Sequence, residues 1–251
     1  INSVLRLSAD FSGRLEYRER PGRGMNVIMQ AVQAAHPTVP AYWPDSSKPT
    51  NPGYDGRWGN PLAISERDYS GYSDTDFSSV RGTFSVNLNF NKWVKGLSAD
   101  GKFDYRLNNN FVKTFNKSFD YHDYNYDTEE YTVIGTFNGG KNSLREEYAK
   151  DWLWYSMFKL NYDRIFAKKH HITGLALVEA QANKNDNFFA YREGFISTEV
   201  DEMFAGSDEN KNNGGGASEG GRMSYVFKLG YSYDNRYLFD FVGRIDGSAK
   251  F

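Results

Sequence analysis

The feature that most constrains this chain is a strict two-residue alternation of apolar and polar side chains, repeated in seven stretches. In the first stretch Leu5, Leu7, Ala9, Phe11, Leu15 and Tyr17 fall on one parity. Arg6, Ser8, Asp10, Ser12, Arg14, Glu16 and Arg18 fall on the other. Period two marks a β-strand with one apolar and one polar face, because successive side chains point to opposite sides. The pattern returns around Phe84 to Phe90, Leu97 to Leu107, Trp154 to Tyr162, Ile172 to Ala180, Met223 to Tyr233 and Tyr237 to Ile245. The fifth stretch is the least regular, since Leu175 and Leu177 sit on its polar parity. Several stretches exceed the roughly 5–6 residues usual for a strand in a soluble domain.

The connections alternate as well. Residues 91–96, 167–170 and 234–236 are hairpin-sized, whereas the other links run over about residues 20–78, 113–151 and 190–221. Short turns on one edge and long loops on the other are the pattern of outer-membrane β-barrels, whose strands turn an apolar face to lipid and a polar face to a wet lumen. In lipid every backbone group has to be paired, so a spanning sheet must close. Seven strands is an odd number where bacterial barrels are usually even. The predicted fold class is therefore all-β: an antiparallel transmembrane β-barrel segment of about seven strands with long extracellular loops. A soluble β-sandwich also alternates, and an eighth strand at residues 131–137 would permit a small closed barrel. The loop-length asymmetry and the charge density of the polar parity favour a membrane barrel over the sandwich. So do Tyr17, Trp93, Trp152, Trp154, Tyr233 and Tyr237, which lie near strand ends, where interfacial girdles place aromatics.

This arrangement accounts for an otherwise odd composition. Nineteen Phe, 18 Tyr and five Trp give 17% aromatics in a chain whose mean hydropathy is only −0.70. Most strand Phe and many Tyr fall on the apolar parity, and the polar residues fall on the other parity and in the loops. The 30 Lys and Arg balance 32 Asp and Glu, with no block of one sign, which disfavours a nucleic-acid partner. The absence of cysteine excludes disulfide scaffolds, thiolate metal sites and cysteine nucleophiles. No run approaches the roughly 18 apolar residues of a membrane-spanning helix.

The tail Tyr233-Asp234-Asn235-Arg236-Tyr237-Leu238-Phe239-Asp240-Phe241, followed by Arg244-Ile245-Asp246-Gly247-Ser248-Ala249-Lys250-Phe251, resembles the signature hairpin of SusC/RagA-type TonB-dependent outer-membrane transporters of Bacteroidetes. Trp93 to Ala99, Leu160 to Phe166, Glu202 to Ser207, and Pro37 to Pro44 with Gly59-Asn60-Pro61 are similar to stretches of the same family. The resemblance implies a 22-stranded barrel filled by an N-terminal plug, with a SusD-like surface lipoprotein as its lid. It implies import of oligosaccharides or peptides, glycan before peptide, driven by the TonB system through the plug. Residues 1–251 would then be an internal part of one barrel domain in the bacterial outer membrane, without the plug and the remaining strands, and without a cofactor. Two further readings compete: a siderophore-type TonB-dependent receptor, and a non-transport small barrel or carbohydrate-binding β-sheet module.

Catalytic chemistry finds little support. Lys168-Lys169-His170-His171 reads as a solvated hairpin turn, and Glu129-Glu130 and Glu146-Glu147 as solvated loop charge, so no enzyme is expected. Asp208, Asn210, Asn212 and Glu219 nearly match calcium-loop spacing, but the glycine is displaced by one position, and a mobile surface loop with no metal is the preferred reading. The first long loop is the most informative for ligands. It begins with a helix-like run, Met25 to Ala35, bends through Pro37, Pro40 and Pro44, and carries Tyr42, Trp43, Tyr54 and Trp58. Flat aromatic faces beside polar groups suit sugar rings, so these four are the candidate substrate-binding residues. The competing reading packs them on the loop itself or on the lid. The acidic, Tyr-rich stretch Asp120 to Tyr131 carries the same ambiguity.

Overall fold

A computed structural model describes residues 4–53 and 59–250. Seven long strands form one antiparallel sheet: β1 (Leu5–Arg18), β2 (Gly71–Asn89), β3 (Leu97–Asn116), β6 (Ser143–Phe166), β7 (His170–Glu193), β8 (Asn212–Tyr233) and β9 (Tyr237–Lys250). They lie side by side in chain order, and among the described residues β1 and β9 remain the two outer edges. Two shorter strands, β4 (Asp120–Asn125) and β5 (Glu130–Thr136), pair among the described residues only with each other. Residues 131–137 therefore supply no eighth stave, and a small closed barrel is not what this chain forms.

The register runs unbroken across the sheet. Leu7, Val86, Gly101, Phe158, Val178, Tyr225 and Ile245 make one transverse row. The adjacent row is Ser8, Ser85, Lys102, Met157, Glu179, Ser224 and Asp246. Paired residues in an antiparallel sheet share a face, so the alternation along each strand becomes one apolar face and one polar face for the whole sheet. The polar face is cross-linked. Asp100 accepts hydrogen bonds from Lys159 at 2.9 Å and Asn161 at 2.8 Å. Asp104 takes Arg81 at 2.8 Å and Thr83 at 2.6 Å. Glu179 accepts from Tyr155 at 2.9 Å and from Arg244 at 3.1 Å. Leu175 and Leu177 do face this polar side, in rows with Lys228 and Val226.

Among the described residues nothing covers the apolar face. Leu7, Phe11, Phe84, Phe158, Phe239 and Ile245 are all exposed. The buried apolar residues lie almost entirely at the long-loop end, in two clusters: Ile28, Ala31 and Ile64, and Phe115, Leu144 and Phe195. At the opposite end the turns are tight. Ala167 and Lys168, and again Asp234 and Asn235, adopt consecutive positive φ angles, the twist that right-handed hairpins favour. Tyr233 and Tyr237 stack beside that end at 6.4 Å, with His170 5.1 Å from Tyr233.

The strands outrun the alternation. Strands β6 and β7 each span 24 residues, β8 spans 22 and β3 spans 20. The long connections shrink accordingly to residues 19–70, 117–142 and 194–211. Glu146 and Glu147 consequently lie within β6, not in a loop.

The hinge between the first loop and the sheet is Gly71. Its φ is +88°, and a Cβ there would sit 1.8 Å from the Phe115 carbonyl oxygen. Gly71→Ala is expected to cost about 1–3 kcal/mol at the outer end of the β2–β3 ladder. Hydrogen exchange should show residues 71–75 and 112–116 losing protection while the turn ends keep theirs.

Candidate functional site

The long loops pack into a folded platform over one end of the sheet. The first loop contains α1 (Met25–Ala34) and two short helices, α2 (Pro61–Ser65) and α3 (Arg67–Ser70). Helix α1 buries Ile28 and Ala31 against Ile64, Phe119 and Phe137, so its inner face ties the first loop to the second. Between the helices the proline-rich chain doubles back through isolated bridges at Ala35–Gly53 and Tyr42–Pro49.

Asn60 joins these pieces. It is fully buried. Its Oδ1 accepts from the Leu62 and Ala63 amides at 3.0 and 3.1 Å, capping α2, and Pro61 occupies the first helical position. Its Nδ2 donates to the carbonyls of Ala41 and Thr50. One side chain thus holds three segments of the loop. The preceding Gly59, at φ +68°, leaves room for the Tyr121 hydroxyl, which a Cβ would meet at 2.0 Å. Burial pushes the Tyr121 phenol up to about 12.

Tyr42 and Trp43 lie inside this platform. The Trp43 indole donates to the His122 carbonyl at 2.6 Å, and its ring packs against Tyr124 and Tyr126 at 6.1 and 6.2 Å. The Asp45 amide donates to the Tyr131 hydroxyl at 3.0 Å, and the His122 amide to the Pro49 carbonyl at 2.9 Å. Trp43 therefore fastens the first loop to the β4–β5 hairpin. The Tyr42 ring lies 5.8 Å from Tyr69, and burial, with Glu66 alongside, holds its phenol above the ordinary range. Tyr69 continues to Phe119 at 5.5 Å, and Phe119 stacks on Phe137 at 5.0 Å. Tyr54 and Trp58 lie outside the described residues. The acidic stretch from Asp120 is the β4–β5 hairpin itself, and its Tyr126, 71% exposed, projects from the tip.

The third loop is latched separately. Phe195 packs on Phe115 at 5.2 Å, Asp201 accepts from the Tyr72 hydroxyl, and Lys113 reaches Asp201 and Glu202 at 3.5 and 3.4 Å. The calcium-like spacing beyond it does not converge. Asp208 pairs with Arg192 and Lys211, whereas Glu219 lies along β8 and pairs with Lys184 at 2.8 Å. Strand β8 starts at Asn212, and seven residues of strand put roughly 23 Å between Asn212 and Glu219. The histidine turn is occupied too: His170 meets the Tyr231 hydroxyl and His171 meets Asp163, both at 2.8 Å. Among the described residues no group of three or more His, Asp or Glu side chains is placed to hold a metal ion.

Two of these contacts differ in how far the sequence signals them. An Asn followed by Pro at a helix start is a readable cap, and Gly59-Asn60-Pro61 contains it. The contact of Tyr72 with Asp201 joins residues far apart in the chain, and no local pattern announces it.

Asn60→Ala removes the cap and takes the side-chain donor from the buried Thr50 carbonyl, while the Ala41 carbonyl keeps the Thr50 amide, a loss of about 1–3 kcal/mol confined to the loop. Limited proteolysis of the folded protein should show faster cleavage between residues 36 and 53, with the sheet's resistance unchanged.

No family model and no curated protein matches the chain. Solved structures do. A chain of the RagAB peptide importer in its open-open state superposes with a TM-score of 0.68 at 16% identity, covering 99% of this chain and 26% of that one. The RagAB peptide transporter and the same importer in its closed-closed state give TM-scores of 0.65 and 0.62 with the same identity and coverage. The likeness lies in the fold, and this chain spans about a quarter of the length of those it matches.

Proposed function

We propose that this chain is part of the wall and outer loops of a β-barrel importer in the bacterial outer membrane. The observation that carries the reading is a seven-strand sheet whose apolar face has no covering layer among the described residues. In water such a face would be a large exposed patch, whereas lipid covers it without a second layer of protein. The dimensions agree. From Trp152 to Tyr162, strand β6 advances about 33 Å, and a tilt of about 45° leaves about 24 Å, close to the apolar band of a membrane barrel. The bare edges of β1 and β9 would pair with further staves, so residues 1–251 belong to one barrel domain whose other strands and plug lie elsewhere in the parent protein. A soluble sandwich would instead need a second sheet over Leu7, Phe158 and Ile245.

On this reading the polar face lines the lumen and the loop platform faces the cell exterior. The parent protein works with a SusD-like lipoprotein over the loops and draws energy from TonB through its plug. It is a transporter and not an enzyme. The cargo is an oligomer, peptide or oligosaccharide. The matched structures are named as peptide importers, which moves the weight from glycan toward peptide. Tyr42, Trp43, Tyr54 and Trp58 belong to the loop that meets cargo or lid, with Tyr42 and Trp43 acting by holding that surface in shape.

The test compares two substitutions in the full-length protein folded into vesicles. Phe158→Arg puts a charge within the apolar band and should cost about 2–4 kcal/mol in urea unfolding. Lys159→Arg, one residue on and facing the lumen, should cost almost nothing. Equal effects would rule out lipid on the apolar face. Labelled peptide uptake that survives loss of TonB would rule out the importer.

A further inference from the structure

A recess between the first loop and the polar face of the sheet lies at the loop's root. It has a volume of about 530 Å³, within the range of small-ligand clefts, and is lined by Glu19, Arg20, Arg23, Ile28, Ser73 and Thr114, among others. Ser73 and Thr114 are cross-strand partners on β2 and β3. Their hydroxyls lie 2.8 Å apart. In such a pair one O–H is spent on the other oxygen, and the accepting hydroxyl keeps its own hydrogen to donate elsewhere.

The charges are unbalanced in a specific way. Arginines elsewhere around the platform are neutralised: Arg67 by Asp74 at 2.7 Å, Arg145 by Glu147 at 2.6 Å, and Arg192 by Asp208 at 3.1 Å. Arg20 and Arg23 make no ion pair among the described residues. Arg23 is half-buried, its side chain hydrogen-bonded among the described residues to the neutral Asn138 and laid over the Phe137 ring at 5.1 Å. Burial pulls its guanidinium below the usual arginine range. A partly desolvated cation without a counter-ion is costly, and an anion entering beside it offsets that cost.

We propose that this recess is a carboxylate-binding subsite for peptide cargo, with Arg20 and Arg23 as the cationic clamp and the Ser73–Thr114 pair as a neutral donor. The proposal rests on the importer reading. Glu19 narrows the chemistry. It stands on the same wall, so a chain with a carboxylate on every unit, such as a polyuronate, would bring further negative charge against it. A peptide brings one carboxylate together with N–H donors that Glu19 accepts. The preferred ligand is thus a peptide C-terminus or an acidic side chain flanked by amides.

The test uses the full-length parent protein purified in detergent with its lipoprotein partner. The probes are a fluorescent tetra-alanine peptide with a free C-terminus, the same peptide amidated, and trigalacturonate as competitor. The free acid should bind about 10–100-fold more tightly than the amide. Arg20→Gln, at an exposed side chain, and Arg23→Gln should each erase most of that difference while leaving the amide's affinity unchanged. Glu19→Gln should tighten the free acid. Unchanged heat-modifiable mobility establishes that each variant is folded. Equal binding of acid and amide by the unsubstituted protein overturns the subsite and leaves the importer standing. Loss of both peptides together in the Arg20→Gln variant also overturns it. Competition by trigalacturonate stronger than by the free peptide overturns the peptide assignment. Failure to bind either peptide overturns the subsite and the peptide-import reading with it.

Discussion

An unbroken antiparallel register governs everything else in this molecule. Because residues paired across strands share a face, one register fixes both surfaces at once: a slip of a single residue in β6 would carry Phe158 to the polar side and Lys159 to the apolar side. The ladder also satisfies the backbone, which no solvent could do within lipid. The polar face reinforces that register from side chain to side chain. Asp100, Asp104 and Glu179 each receive donors from neighbouring strands, and Arg244 reaches past β8 to Glu179. Such bonds are individually modest, but they are directional. A shifted strand would leave partly buried carboxylates such as Asp104 without partners, a larger penalty than any one bond contributes.

The same sheet carries two kinds of stabilisation along its length. Through the apolar band the described residues form no protein core, and exposed residues such as Phe84 and Phe227 depend on what surrounds the sheet. At the loop end the chain builds compact cores of its own, around Ile64 and around Phe115. The polar ends of β2 and β3 are the joint between these regimes, where Tyr72, Lys113 and Asp201 bring the third loop down onto the strands.

This division explains what the sequence disclosed. The stretches from Phe84 to Phe90 and from Met223 to Tyr233 are readable because one side must be apolar and the other need not be. Beyond the apolar band that demand ends. Ser73-Asp74-Thr75-Asp76 and Gly214-Gly215-Gly216 are polar or small on both parities, so they read as loop although the ladder continues through them. Glu146 and Glu147 were hidden for the same reason. The calcium-like spacing failed because an extended strand spaces residues that a compact loop would gather. Of the loop aromatics, Tyr42 and Trp43 were conspicuous as residues, but their role as fasteners depends on Tyr69, Tyr124 and Phe119, which only the folded chain brings near. Arg20 and Arg23 at the loop root, without an ion pair among the described residues, carry no local signal either, since an ion pair or its absence is decided by residues distant in sequence.

The buried amide of Asn60 has a consequence for how the outer surface opens. Because that one group ties the Ala41–Thr50 pairing to the first turn of α2, the loop has few small, independent ways to fray. Breaking any of these contacts loosens the others, so the segment behaves as a single sub-global unfolding unit with its own free energy, lower than that of the sheet below it. Heating would release it as one step ahead of the strands. Between those two transitions the molecule would be a bare stave wall, intact in its ladder and stripped of its outer face.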